Sequence, residues 1–376
     1  LIISTNAPAL IFADTVSDSE VIRPKQMEYL TRGAIGAVID GNVYLSWRLL
    51  GTEPMDTKFN IYCNGEKIVN NLDNTNYTHI SGNKNNKYQI SAIINGEETA
   101  KSDYVNILQG TKDADLSKGE FDSVPYAYFD IPIEPPADGD DYTYKNNNMS
   151  NPVFSEPRLA LGGANDASVG DVDGDGEYEI ILKWYPSNAH DNSEDGKTGN
   201  TYIDAYEMDG TKLWRIDLGK NIRSGSHYTQ YIVYDFDCDG KAEIAMKTAP
   251  GSIDGKGKYV TDAGNTDAIK NTNNTISYVN SRGRILEGPE YLTIFNGKTG
   301  QAMQTIDYYP ERGDINEWGK KNDNGNRVDR FLAGVAYLDG VHPSLIMCRG
   351  YYGRSVVVAY DWNGDNLIKK WVLDSG

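Results

Sequence analysis

The sequence predicts an all-β chain in which a β-propeller follows a small β-sandwich. Three observations predict it. A strand–turn–strand unit recurs at residues 203–219 (IDAYEMDGTKLWRIDLG), 292–307 (LTIFNGKTGQAMQTID) and 357–374 (VVAYDWNGDNLIKKWVLD). An acidic loop that feeds an apolar strand recurs beside it, at Asp171 before 179–184 (EIILKW) and at Asp235 before 243–248 (EIAMKT). A third copy, Leu338-Asp339-Gly340 before 344–349 (SLIMCR), has lost its loop acids. Repeats of four-strand size with no helical periodicity are the mark of a propeller.

The elements follow in order. Residues 1–24 read as a signal-peptide remnant and linker. Residues 1–13 (LIISTNAPALIFA) are apolar and end in Ala before Asp14, and the polar stretch 14–24 follows. A disordered chain end is the alternative for this segment. Residues 25–110 read as a β-sandwich of fibronectin type III character. Alternating runs at 43–49 (VYLSWRL), 59–63 (FNIYC) and 88–94 (YQISAII) meet tight turns at Asn64-Gly65 and Asn95-Gly96. Residues 111–150, rich in Pro, Asp, Asn and Gly, read as an irregular connection. Residues 151–376 carry about three blades, whereas closed propellers typically have about 4–8. They therefore read as the N-terminal part of a larger ring, and the chain as truncated.

Composition narrows the function. The net charge of −18 speaks against a nucleic-acid partner. No stretch is long and apolar enough for a membrane-spanning helix. Cys63, Cys238 and Cys348 lie far apart and form neither a CxxC motif nor a disulfide framework. The 26 tyrosines suit either sugar stacking or a β-rich core.

The acidic loops carry the sharpest chemistry. Asp171, Asp173 and Asp175 stand at positions 1, 3 and 5, with Gly176 at 6, Glu177 at 7 and Glu179 at 9. Asp235, Asp237, Asp239, Gly240, Lys241 and Glu243 repeat that spacing. Carboxylates at 1, 3 and 5 of a tight loop converge, Gly permits the turn, residue 7 offers its carbonyl, and the acid at 9 closes the shell. Ca²⁺ favours such an oxygen cage. The spacing is not that of the EF-hand, whose closing acid stands at 12. Two Asp/Gly-rich turns without metal are the alternative.

Cations recur after the loops. Lys183 and Lys247 each stand four residues after the closing acid, and Arg349 falls within one residue of that place in the third copy. If the strand after each loop is innermost, these cations face a central funnel and attract an anionic ligand. The alternative is strand-end ion pairing with neighbouring acids. His227, in Gly225-Ser-His227-Tyr228, is catalytic, a neighbour of the calcium shell or a structural hydrogen bonder, with structure favoured. His79, His190 and His342 form no zinc-spaced cluster. Arg282, Arg284 and the run Arg349-Gly350-Tyr351-Tyr352 suit a sugar groove or an ordinary surface loop.

The chain resembles the bacterial family 11 rhamnogalacturonan endolyases. The resemblance rests on Gln26-Met27-Glu28, Arg32-Gly33, Ser46-Trp47-Arg48, Leu50-Gly51-Thr52-Glu53 and the run from Asn165 to Asp171. It continues through the run from Gly219 to Arg223, His227-Tyr228-Thr229-Gln230, the run from Gly288 to Leu292, Gly325 to Gly334, and Arg349 to Tyr352. It implies an eight-bladed, secreted propeller that binds several calcium ions and cleaves rhamnogalacturonan I, a pectic polysaccharide, by β-elimination at C4 of galacturonate. Asn165 matches a substrate-contacting Asn of the family. Tyr185, after Lys183-Trp184, stands where the family has a substrate-contacting Asp, so the resemblance implies a substrate position with a changed side chain and an altered subsite preference. The family's catalytic Lys and Arg lie in blades beyond residue 376, so no catalytic residue is named. A cellulosomal or carbohydrate-binding module beyond the C-terminus is a further expectation. Endo and exo action are not distinguished at this level. The rival reading is a non-catalytic, calcium-stabilised propeller for carbohydrate binding or adhesion.

Overall fold

Short strands punctuated by turn residues bury their apolar faces by packing sheet on sheet. The computed structural model describes residues 25–109, 131–144, 162–319 and 324–376. The leader or linker expected over 1–24, and much of the connection expected over 111–150, lie outside the described residues.

The first unit has eight strands: β1 (Ile35–Ile39), β2 (Asn42–Ser46), β3 (Lys58–Cys63), β4 (Glu66–Leu72), β5 (Asn76–His79), β6 (Tyr88–Ile94), β7 (Glu97–Glu98) and β8 (Asn106–Gln109). They form two four-stranded sheets, β5-β2-β1-β8 and β4-β3-β6-β7. Val43, Leu45 and Trp47 on one side meet Phe59, Ile61, Tyr88 and Ile90 on the other. Asn64-Gly65 and Asn95-Gly96 turn the chain with φ of 52°/91° and 53°/86°, the left-handed pair that a two-residue hairpin needs. Asp40-Gly41, at 48°/75°, does the same between β1 and β2.

The remaining strands form three antiparallel meanders. The first holds β9 (Gly163–Gly170), β10 (Glu179–Tyr185), β11 (Tyr202–Tyr206) and β12 (Lys212–Asp217). The second holds β13 (Tyr231–Tyr234), β14 (Glu243–Thr248), β15 (Tyr291–Phe295) and β16 (Ala302–Asp307). The third holds β17 (Phe331–Ala336), β18 (Ser344–Arg349), β19 (Val356–Trp362) and β20 (Leu367–Asp374). The two kinds of repeat in the sequence are thus halves of one four-strand unit. Acidic loops join its first two strands and the strand–turn–strand runs are its last two. The last pair carries a register shift at the same place each time, at Ala205/Tyr206, Ile294/Phe295 and Ala359/Tyr360.

The meanders stack face to face. Ile181, Ile203, Trp214 and Ile216 of the first share a core with Ile244, Met246 and Phe295 of the second. Ala245, Leu292 and Ile294 enter the next core with Leu345, Met347 and Val358 of the third. β14 is therefore buried at all six positions, because successive side chains enter different cores.

One expectation is displaced by a strand. The strands that follow the acidic loops, β10, β14 and β18, are second in each sheet. The backbones that come closest from sheet to sheet are those of the first strands, β13 lying beside both β9 and β17.

Candidate functional site

In the loop between β9 and β10 the chain folds around Asp171. Its Oδ1 accepts from Gly174 N–H at 2.7 Å and its Oδ2 from Gly176 N–H at 2.9 Å. Gly174 and Gly176 have φ of 85° and 93°, left-handed values that admit glycine without strain. Glu179 Oε2 reaches back to Val172 N–H at 2.7 Å. Carboxylate oxygens of Asp171, Asp173 and Glu179 come within 4.8 Å of one another.

The loop between β13 and β14 repeats the construction. Asp235 Oδ2 accepts from Gly240 N–H at 2.9 Å, and Glu243 Oε2 from Phe236 N–H at 2.8 Å. Here Asp235, Asp237 and Asp239 form the cluster. Asp175 and Glu177 are exposed at the first loop's outer side. Asp175 accepts from Glu177 N–H, and Glu177 accepts from the Thr31 hydroxyl. The Lys241 side chain lies against Gly174 and leaves only its backbone to the second loop.

Electrostatics give these clusters their meaning. Burial, then the charges of neighbouring acids, raises Glu179 to about 7 and Asp235 to about 6. Burial and Asp237 raise Glu243 to about 9. Asp171 and Asp237 are raised for the same reasons. Burial and mutual repulsion thus oppose ionisation of these acids in each loop. An all-oxygen donor set of this kind fits a hard divalent cation, which would restore full ionisation.

A segment that the sequence reading left without a role spans these loops. Thr31 N–H donates to Gly176 O at 2.8 Å, and Glu28 Oε1 accepts from Asp171 N–H at 2.9 Å. The Tyr29 ring packs on Gly240. Gln26 N–H donates to Val341 O at 2.9 Å, and Gln26 O accepts from the Tyr337 hydroxyl at 2.8 Å. Residues 25–31 therefore strap the corresponding turns of all three meanders to the sandwich that follows.

The recurring cations are ion-paired, not open to a funnel. Lys183 Nζ lies 2.6 Å from Asp166 Oδ2 and its side chain is 1% exposed. Lys247, Arg312 and Arg349 converge on Glu290 at 2.8, 2.6 and 2.7 Å, with Asp329 beside them. Burial alone would raise Glu290, but the three cations hold it below the ordinary carboxylate range. The reason is the displaced strand: side chains on β14 and β18 point between sheets and not into an opening. Glu290, Arg312 and Asp329 carried no assignment in the sequence, although Glu290 and Asp329 lie in its resemblance segments.

Tyr185 is buried as well, its hydroxyl donating to Gly225 O at 2.6 Å, so it is not an open contact. Asn165 is exposed on β9, at the end of the strand away from the acidic loop. His227 Nε2 sits 3.3 Å from Asp191 Oδ2, and Arg330 reaches the same oxygen at 3.5 Å. Arg282 and Arg284 both grip Asp195. His79, His190 and His342 each meet a local partner: Tyr88, Glu194 and Asp339.

Comparison with known proteins bears on this arrangement. Residues 128–376 match the model of the rhamnogalacturonan lyase family 11 C-terminal domain. Residues 25–108 match that of the rhamnogalacturonan I lyase beta-sheet domain. The rhamnogalacturonan endolyase YesW of Bacillus subtilis is 46% identical over 357 residues, 93% of this chain and 50% of that protein. The exolyase YesX of the same organism is 47% identical over 94% of this chain and 51% of its own length. The crystal structure of YesW superposes with a TM-score of 0.74 at 45% identity, over 94% of this chain and 54% of that one. A Bacillus licheniformis rhamnogalacturonan lyase gives 0.74 at 48%, over 94% and 53%. The chain spans about half the length of the curated relatives it matches. It belongs to rhamnogalacturonan lyase family 11.

Proposed function

We propose that the protein cleaves the rhamnogalacturonan I backbone by β-elimination at C4 of galacturonate, is secreted, and holds calcium in its two acidic loops. Family membership along nearly the whole described chain carries this reading. Face-to-face stacking of three meanders, with their first strands adjacent, supports a propeller, and the preceding two-sheet unit supports a fibronectin type III-like sandwich. β20 leaves Ile368, Trp371 and Leu373 exposed on the next face. A further blade packed there would bury them.

Elimination requires a base for the C5 proton, which the adjacent carboxylate makes acidic, and positive charge or hydrogen-bond donors for the carbanion that forms. Electrons then move to the C4–C5 bond and the C4 oxygen leaves. A hydrolase would instead need two carboxylates placed across the bond. The acids clustered here are committed to their loops, and no base is assigned among the described residues. In this reading Asn165, exposed at the end of β9 away from the acidic loops, would touch substrate. Bound at Asp171, Asp173 and Glu179, and at Asp235, Asp237 and Asp239, calcium would supply fixed charge that holds the loops and the strap over them. Its role would be structural.

The test is to incubate the intact protein with rhamnogalacturonan I and calcium. Product with the ultraviolet absorbance of an unsaturated uronate is expected. New reducing ends without that absorbance would show hydrolysis, and binding without cleavage would show an adhesion module. Product size over time separates endo from exo action, which YesW and YesX divide between them.

A further inference from the structure

The face opposite the cation loops holds a residue that folding alone does not explain. Tyr352 is 84% exposed and has a φ of 56°. Among the described residues the other left-handed non-glycine positions are Asp, Asn, Ser and Cys. A bulky aromatic in that region is strained, and an aromatic held in water contributes nothing to a core. Strain kept at an exposed position points to a use for the side chain.

Its neighbours suggest the use. Tyr351 and Tyr352 lie with ring centroids 4.2 Å apart. The Arg327 guanidinium lies 5.4 Å from the Tyr351 ring and 5.1 Å from the Tyr352 ring, and Arg330 lies 4.2 Å from the Tyr351 ring. Arg330 is oriented by Asn326 Oδ1 at 3.1 Å and by Asp191. The platform adjoins the starts of β13 and β17, where Phe331 N–H donates to His227 O. Asn165, third residue of the neighbouring first strand β9, lies at the same end.

Aromatic faces stack on the C–H faces of pyranose rings, and planar guanidinium groups grip carboxylates. We propose that Arg327, Arg330, Tyr351 and Tyr352 form a subsite for a uronate residue of the polysaccharide, Tyr352 stacking on the ring and the arginines holding its carboxylate. This rests on the lyase reading and adds a binding position to it.

Tyr352→Gly tests it, because glycine removes the ring and relaxes the backbone together. The expected melting temperature is equal to or above the parent's, while affinity for rhamnogalacturonan oligosaccharides, measured by calorimetry, falls about three- to tenfold. Arg327→Gln should remove the preference for native oligosaccharide over its carboxyl-reduced form. A Tyr352→Gly protein that binds within about twofold of the parent overturns the subsite while the lyase reading stands. So does a parent that binds native and carboxyl-reduced oligosaccharides equally. A parent that neither binds nor cleaves rhamnogalacturonan overturns the lyase reading and the subsite together.

Discussion

Glu290 receives Lys247, Arg312 and Arg349 in one buried position, so removing its charge strands three cations at once. Breaking such a cluster from one side typically costs about 3–5 kcal/mol. Glu290→Gln is expected to show a loss of that size in denaturant unfolding; a near-neutral effect would show that the cations find other partners. The loop acids make a second prediction, on pH. In metal-free protein, Glu179, Asp235 and Glu243 are raised to about 7, 6 and 9, above ordinary carboxylate values. The folded state then binds more protons than the unfolded one, so stability falls as pH rises from about 4.5 through those values. With chelator present, the melting temperature should drop between about pH 5 and pH 8, and calcium should remove the slope by holding the acids ionised. A flat profile in chelator would show that the acids are not crowded.

At the scale of elements, the strap over residues 25–31 ties sandwich to meanders through the same backbone that shapes the first loop. Thr31 N–H bonds Gly176 O, one residue before Glu177. Chelation should therefore speed amide exchange at Thr31 along with the loops at 171–177 and 235–241, as read by mass spectrometry. Fast loops with a protected strap would uncouple the two. The meanders also depend on close backbone approach. A Cβ at Gly297 would lie 1.9 Å from Ala242 O, and Trp214 Nε1 donates to Gly297 O at 2.7 Å. Backbone cannot yield as a flexible side chain does. Gly297→Ala is expected to destabilise by about 1–3 kcal/mol, by forcing the β15–β16 turn away from Ala242 within the second meander and from Val172 of the first, 2.8 Å from the added Cβ.

For the whole molecule, calcium binding becomes folding free energy if only the native loops hold it. At a calcium concentration of about a hundred times Kd each site adds about 2.7 kcal/mol. Chelation should lower the melting temperature, and Asp173→Ala should remove one binding event in calorimetry while sparing the other loop. Two retained events would place the cation elsewhere.

The strands, the Asn-Gly turns and the 1-3-5-9 acid spacing were legible in the sequence because each is local. Side-chain alternation, left-handed turn pairs and loop convergence depend on residues within about a dozen positions of one another. The partners of the cations were not legible. Arg349 and Glu290 are 59 positions apart, and their meeting depends on how two meanders stack. Placing Lys247 and Arg349 on second strands rather than first turned expected funnel residues into buried ion pairs. Likewise, Gln26 and Glu28 stand out in the sequence, but only packing lays them across turns more than 140 residues away. Local rules fix what each segment is. The order and facing of stacked sheets decide which charges meet, and tertiary structure alone supplies that.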